Sequence, residues 1–254
     1  MRFFITLSYD GAAYHGWQIQ PNAPSVEETV ERALSTLLRQ DIDIVGAGRT
    51  DTGVNASMMV AHFDFEPGQD SAEWCSQLAY KMNKMLPGDI VVRGIEPVGD
   101  EKHARFSAKS RTYRYFIHTR KDPYMRLYSW RVPYPELDFD MMNEAAKVIM
   151  EYTDFTSFSK TNTDVKTNYC SITKAEWRPY TVSLPADGTG QWVFEITANR
   201  FLRNMVRAIV GTLVEVGRGR LSVDDVRDII EARNRCRAGE SVPGNALFLV
   251  DIEY

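Results

Sequence analysis

Only three cysteines occur in 254 residues, Cys75, Cys170 and Cys236, with no C-x-x-C pair among them. An odd, scattered count excludes a disulfide framework and offers no zinc spacing, so a reducing, cytoplasmic setting is expected. Histidine is also scarce. His15, His62, His103 and His118 form no H-E-x-x-H, and the H-x-E with P-C-x-x-C pattern of zinc deaminases is absent. No apolar run approaches the roughly 18–20 residues that span a bilayer. The first ten residues turn acidic at Asp10, too soon for a signal peptide. There is no G-x-G-x-x-G after a strand, no G-x-x-x-x-G-K-[ST] and no G-x-S-x-G, which removes dinucleotide, P-loop and nucleophile-elbow readings. What is left is chemistry with no metal and no cofactor, or binding alone.

The composition that is present, 44% hydrophobic and 25% charged, is that of a globular chain of one to two domains. The net charge of −4 hides a segregation. Residues 1–100 hold 7 Lys/Arg against 14 Asp/Glu, whereas residues 102–131 hold 9 Lys/Arg against the single acid Asp122. Arg200, Arg203, Arg207, Arg218 and Arg220 face only Glu215 in their stretch. Positive segments on an acidic protein fit a polyanion track, and they also fit solvated faces.

Periodicity divides the chain into two similar halves. Phe3, Ile5, Leu7 and Tyr9 alternate as a strand. Ser25-Val26-Glu27-Glu28 reads as a capping box opening a helix with Val26, Val30, Ala33, Leu34 and Leu37 on one face. Strands follow near 42–46 and 58–65, then a helix from about Asp70 bearing Trp74, Leu78 and Met82, then a strand at 90–97. The second half predicts a strand at 112–118 and a helix at 139–150. Strands at 171–180 and 191–198 follow, joined by a turn at 185–190. A long helix starts near Phe201 and stops at a C′ glycine, Gly217. A short helix capped at Ser222 and a strand at 247–253 complete it. Two tandem β-α-β-β-α-β units, residues 1–104 and 105–254, give an α+β fold with adjacent antiparallel sheets and a central cleft for a large ligand.

Three segments carry candidate chemistry. Gly46-Ala47-Gly48-Arg49-Thr50-Asp51-Thr52-Gly53-Val54 lies between two strands; it reads either as a ligand-approaching loop centred on Asp51 or as an Asp-capped turn. In His103-Ala104-Arg105-Phe106-Ser107-Ala108, continuing to Arg111-Thr112-Tyr113-Arg114-Tyr115, period two puts Tyr113 and Tyr115 on one face, either as base-stacking rings or as core aromatics. On the helix from Phe201, two apolar ladders leave Arg203 and Arg207 one shared face. Such a helix asks for an anionic partner for Arg207, with Asp51 one candidate and a phosphate or another acid the alternatives.

Taken together these segments resemble the TruA family of tRNA pseudouridine synthases. The resemblance covers nearly the whole chain: Tyr9-Asp10-Gly11 with Tyr14 and Gly16-Trp17-Gln18, the GRTD-x-GV loop at 48–54, Leu86-Pro87-Gly88-Asp89-Ile90, the HARFSA–YRY segment, Asp154-Phe155-Thr156-Ser157-Phe158, and the MVR-x-IVGTL helix. It implies a homodimer of two tandem ferredoxin-like subdomains per chain, acting without cofactor on the tRNA anticodon stem-loop at positions 38–40. It further implies that Asp51 is the catalytic carboxylate and that Tyr113 packs on the target uracil. Arg207 corresponds to the arginine paired with the aspartate, Arg49 to the one that holds the base out of the helix, and Leu247 to an apolar pocket residue. The chain departs from the family pattern at Thr52 (usually Ala), Asn55 (usually His), Lys84 in Asn83-Lys84-Met85 (usually N-A-x) and Ala246 (usually Gly). The competing class is a non-catalytic tRNA-binding or folding protein on the same scaffold; a metal-dependent base-modifying enzyme lacks its ligands here.

Overall fold

Alternation at the N-terminus yields strand β1, Arg2–Tyr9, with Phe3, Ile5, Leu7 and Tyr9 all buried. The computed structural model describes residues 1–68, 71–134, 136–161, 167–180 and 190–254 of a mixed α+β protein. Ser25 caps helix α1, Val26–Leu38, its Oγ accepting the Glu28 N–H at 3.3 Å, and the buried stripe is Val26, Val30, Ala33 and Leu34. The strand expected over 42–46 shrinks to β2, Val45–Gly46. Ile42 and Ile44 are buried, but their N–H groups donate to Ser35 Oγ and to the Glu31 carboxylate, each at 2.9 Å, rather than to a ladder. Strand β3, Asn55–Asp64, starts earlier than its apolar run implies. Helix α2, Ser71–Met85, buries Cys75, Leu78 and Met82; Asp70, expected near its start, lies outside the described residues. Strand β4 is Ile90–Val98. The sheet runs β4-β1-β3 with β2 also on β3, every pair antiparallel, and α2 packs on β4 and on α1.

In the following stretch β5, Ser110–His118, pairs antiparallel with β8, and a short strand that the periodicity does not signal, β6, Trp130–Arg131, runs parallel to the end of β5. Asp138 caps helix α3, Phe139–Met150. Strands β7, Ile172–Pro179, and β8, Gln191–Ala198, pair antiparallel. Of the turn expected between them, residues 185–189 lie outside the described residues. Helix α4 spans Met205–Gly217 and α5 Val223–Glu231, the latter closed by a capping box between Ser222 and Asp225. Helix α3 packs on β7, α4 and α5.

Two expectations for α4 need correcting. It begins at Met205, not near Phe201, because Asn204 adopts the left-handed φ of +67° and ends the helix there. The preceding residues make other bonds: Lys160 donates its N–H to the Arg203 carbonyl, and the Asn204 amide bonds Ser241 Oγ. At the other end, Gly217 is the last helical residue and the left-handed position is Gly219, φ +68°. At Gly217 a Cβ would meet the Met142 thioether, which would have to shift.

Strand β9, Leu247–Glu253, follows. The chain forms two compact units, residues 1–109 with 249–254, and residues 110–248. A boundary at 104/105 in chain order leaves all of β9 with the second half. The last residues of β9 group with the first unit because Lys109 N–H donates to Glu253 O at 2.7 Å, Tyr254 OH to Ala104 O at 2.8 Å, and the Phe4 and Tyr254 rings meet at 5.0 Å. No described helix is long and apolar enough to cross a membrane.

Candidate active site

The loop from β2 to β3 displays Asp51, and the first unit builds a backing for it. Ala47 N–H donates to Val60 O at 2.8 Å, and Val54 N–H closes a turn on Asp51 O at 3.1 Å. Behind the loop runs the segment 9–17. The Tyr9 and Thr50 hydroxyls bond at 2.8 Å in the interior. Trp17 N–H donates to Thr50 O at 3.2 Å, and Gly53 N–H to Tyr14 O at 3.3 Å. Two glycines make this approach possible. Gly16 sits at φ +93°, and a Cβ there would fall on the Thr50 carbonyl oxygen, 3.2 Å from the Asp51 carbonyl carbon. A Cβ at Gly11 would fall on the Val54 carbonyl.

A further layer fixes the backing. Trp17 Nε1 donates to Glu27 Oε1 at 3.0 Å, and Ile19 N–H donates to Glu27 Oε2 at 3.0 Å. Burial pushes the Glu27 carboxyl up, opposed by those two donors. Tyr14 OH donates to Asp89 Oδ1 at 2.8 Å, while Asp10 N–H donates to Asp89 O at 2.9 Å. Burial, followed by the Asp89 bond, raises the Tyr14 phenol well above its ordinary range. Buried Asn55 accepts the Gly11 N–H at 2.8 Å, so the residue that departs from the family pattern still ties the loop exit to segment 9–17. Asp51 is half-buried; Arg49 and Thr52 on the same loop are exposed.

Tyr113, Arg207 and Leu247 belong to the second unit. Tyr113 on β5 is buried, with Phe201 edge-on at 5.1 Å and 85°. Phe201 can reach it because it is not part of α4. Tyr115 is fully buried and donates to Pro243 O at 2.9 Å, which identifies it as a core tyrosine. Arg207 Nε donates to Val242 O at 2.6 Å, and Val242 N–H returns to Arg207 O at 3.3 Å. The fork of Arg207 is thus fastened to the segment that leads through Ala246 to buried Leu247. Asp154-Phe155-Thr156-Ser157-Phe158 is a structural turn: Asp154 takes the Thr156 N–H at 3.1 Å and pairs with Arg233 at 3.0 Å, over fully buried Phe155 and Phe158.

The basic segments are not uniformly available. Arg114, Lys174 and Arg178 converge on Glu195 at 2.5, 2.7 and 3.6 Å. Burial pushes the Glu195 carboxyl up, but the Lys174 and Arg114 bonds outweigh it and hold it down at about 2. Arg218 and Arg220 pair with Glu215 at 2.6 and 3.5 Å. These arginines are occupied within the fold, which narrows the polyanion track drawn from charge counts. Among the described residues no group of three or more His, Cys, Asp or Glu is placed to hold a metal ion.

Sequence reasoning finds the loop but assigns no role to its backing. The signal is present in the two glycines flanking Tyr14, where the loop comes nearest. A polar contact such as Tyr9–Thr50 has no sequence signature at all.

A family model described as tRNA pseudouridine synthase matches residues 5–107 and 152–254. Curated relatives with the name tRNA pseudouridine synthase A are similar over the full length. That of Bacteroides thetaiotaomicron is 56% identical over 253 residues, covering 100% of this chain and 90% of the relative. That of Bacteroides fragilis is 56% identical over 253 residues, covering 100% and 96%. That of Bacillus subtilis is 39% identical over 258 residues, covering 100% and 99%.

Proposed function

The chain belongs to the tRNA pseudouridine synthase family, and from that premise we propose that it isomerises uridine to pseudouridine at positions 38–40 of the tRNA anticodon stem-loop, with Asp51 as the catalytic carboxylate. The observation that carries this reading is the hydrogen-bonded loop that displays Asp51 over a backing of Tyr9, Gly11, Gly16 and Trp17. Positioning of this kind is what a carboxylate acting at a sugar carbon needs.

The reaction breaks the N1–C1′ bond, turns the uracil, and joins C5 to C1′. The proton on C5 goes to solvent and N1 gains one, so atoms and electrons balance without oxidant or water. Asp51 serves either as nucleophile at C1′ or as base toward a sugar proton; both routes place its carboxylate at the ribose. The target first leaves the stack, at about a few kcal/mol. Tyr113, braced edge-on by Phe201, is assigned the packing of the detached uracil, and Leu247 the apolar wall beside it. Arg207, its Nε fixed on Val242 O, is assigned to Asp51, and exposed Arg49 to holding the base out.

The architecture in this reading is two tandem ferredoxin-like subdomains, supported by the β4-β1-β3-β2 order of the strands in the first unit. A cytoplasmic homodimer completes it, to be checked by sedimentation. Incubation with an unmodified tRNA transcript carrying 5-³H-uridine tests the function: tritium is released, and the modified positions map to 38–40. Tight tRNA binding without release would favour the non-catalytic alternative instead.

A further inference from the structure

A cleft of about 470 Å³ in the second unit takes no part in the chemistry above. Most of its lining comes from the stretch between the two segments that the family model matches. Lys121, Arg126 and Arg131 line it. Among the described residues these three cations have no ion pair, in contrast to Arg114, Lys174 and Arg178 gathered on Glu195. The one acid in the lining, Asp122, has Oδ1 engaged by the Tyr124 N–H at 2.8 Å. The interior is built. His118 and Ser129 are buried and bonded to each other at 2.9 Å, and Val132 N–H holds the His118 carbonyl at 2.9 Å. Asn245 pins the covering loop through Leu127 O at 2.9 Å.

Three cations against one carboxylate leave the lining net positive, and an anion placed there is attracted. The same loop exposes Tyr124, Leu127 and Tyr128, so aromatic and apolar surface alternates with the cations along the chain. That mixture suits a nucleotide strand better than a lone inorganic ion. We propose that this cleft binds a backbone phosphate of the tRNA, held by Lys121, Arg126 and Arg131 as a contact additional to those at the target uridine. That the polyanion is tRNA rests on the proposed function; the existence of an anion site does not.

The test is filter binding of an unmodified tRNA transcript to the full chain between about 50 and 300 mM KCl, for the wild type and for Lys121→Ala, Arg126→Ala and Arg131→Ala. Loss of one phosphate contact weakens binding about five- to eightfold at about 0.1 M salt and flattens the log–log salt slope by roughly 1. Arg126→Lys, which keeps the charge, stays close to the wild-type slope. Circular dichroism melts of these variants separate loss of contact from loss of fold. Unchanged affinity and slope in all three alanine variants overturn the proposal. So does micromolar binding of free uridine 5′-monophosphate that Arg126→Ala abolishes while the tRNA slope is unmoved, since the cleft then takes a free nucleotide. A wild type that binds tRNA but releases no tritium counts against the catalytic reading alone, and the slopes still judge the cleft.

Discussion

Gly16→Ala probes how the fold holds its catalytic loop. At φ +93° an alanine sits in backbone space that L residues avoid, at about 1–3 kcal/mol. Its methyl also overlaps the Thr50 carbonyl oxygen and lies 3.2 Å from the carbonyl carbon of Asp51. Restoring ordinary van der Waals separation moves one segment by about 1 Å. Segment 9–17 is held by Tyr9–Thr50, Trp17–Glu27 and Tyr14–Asp89 bonds, whereas Arg49 and Thr52 on the Asp51 loop are exposed, so the loop yields. A displacement of that size at a reacting group lowers the rate about a hundredfold. Tritium release measured well below the melting temperature reads kcat, and filter binding reads affinity. We expect kcat to fall by about two orders of magnitude with tRNA Kd within a factor of a few. Wild-type kcat in a folded Gly16→Ala protein would refute the claim that this backing positions Asp51.

Asn55→Ala removes the acceptor of the buried Gly11 N–H and should destabilise the protein by about 1–3 kcal/mol in urea unfolding; an unchanged midpoint would contradict the assignment. Burial, aided by Arg2 and His103, lowers the His62 imidazole from 6.5 to about 4. The unfolded chain therefore takes up that proton first, and stability drops as pH falls from 6.5 through 4, by roughly 3 kcal/mol at completion. Protonation also replaces the Nδ1 acceptor of the Ala104 N–H. His62→Gln should flatten the pH dependence of the melting temperature in that window, and an unaltered curve would argue otherwise. Arg207→Lys loses the Nε bond to Val242 O, so activity should fall by about an order of magnitude or more while tRNA binding persists; equal kcat would remove Arg207 from the mechanism.

Much of this is legible in the sequence alone. The alternation of β1, the stripe of α1 and the Ser222 cap are local signals, and each forms where the pattern places it. What failed was decided by tertiary partners. Residues 42–44 look like a strand, but Ser35 and Glu31 capture their N–H groups. The ladder through Phe201 looks helical, but Asn204 turns left-handed and frees Phe201 to brace Tyr113. Charge counts mark basic segments without telling occupied arginines from available ones; Glu195 and Glu215 make that distinction. The loop that carries Asp51 is found from its glycines, while the glycines that matter most for its support, Gly11 and Gly16, lie well upstream of it.

The most direct trial replaces one oxygen. Asp51→Asn keeps the side chain's size and removes only the carboxylate. The protein should still bind tRNA with wild-type affinity yet release no tritium from 5-³H-uridine transcript over many wild-type turnover times. Continued release at a substantial fraction of the wild-type rate would mean that another group does the chemistry.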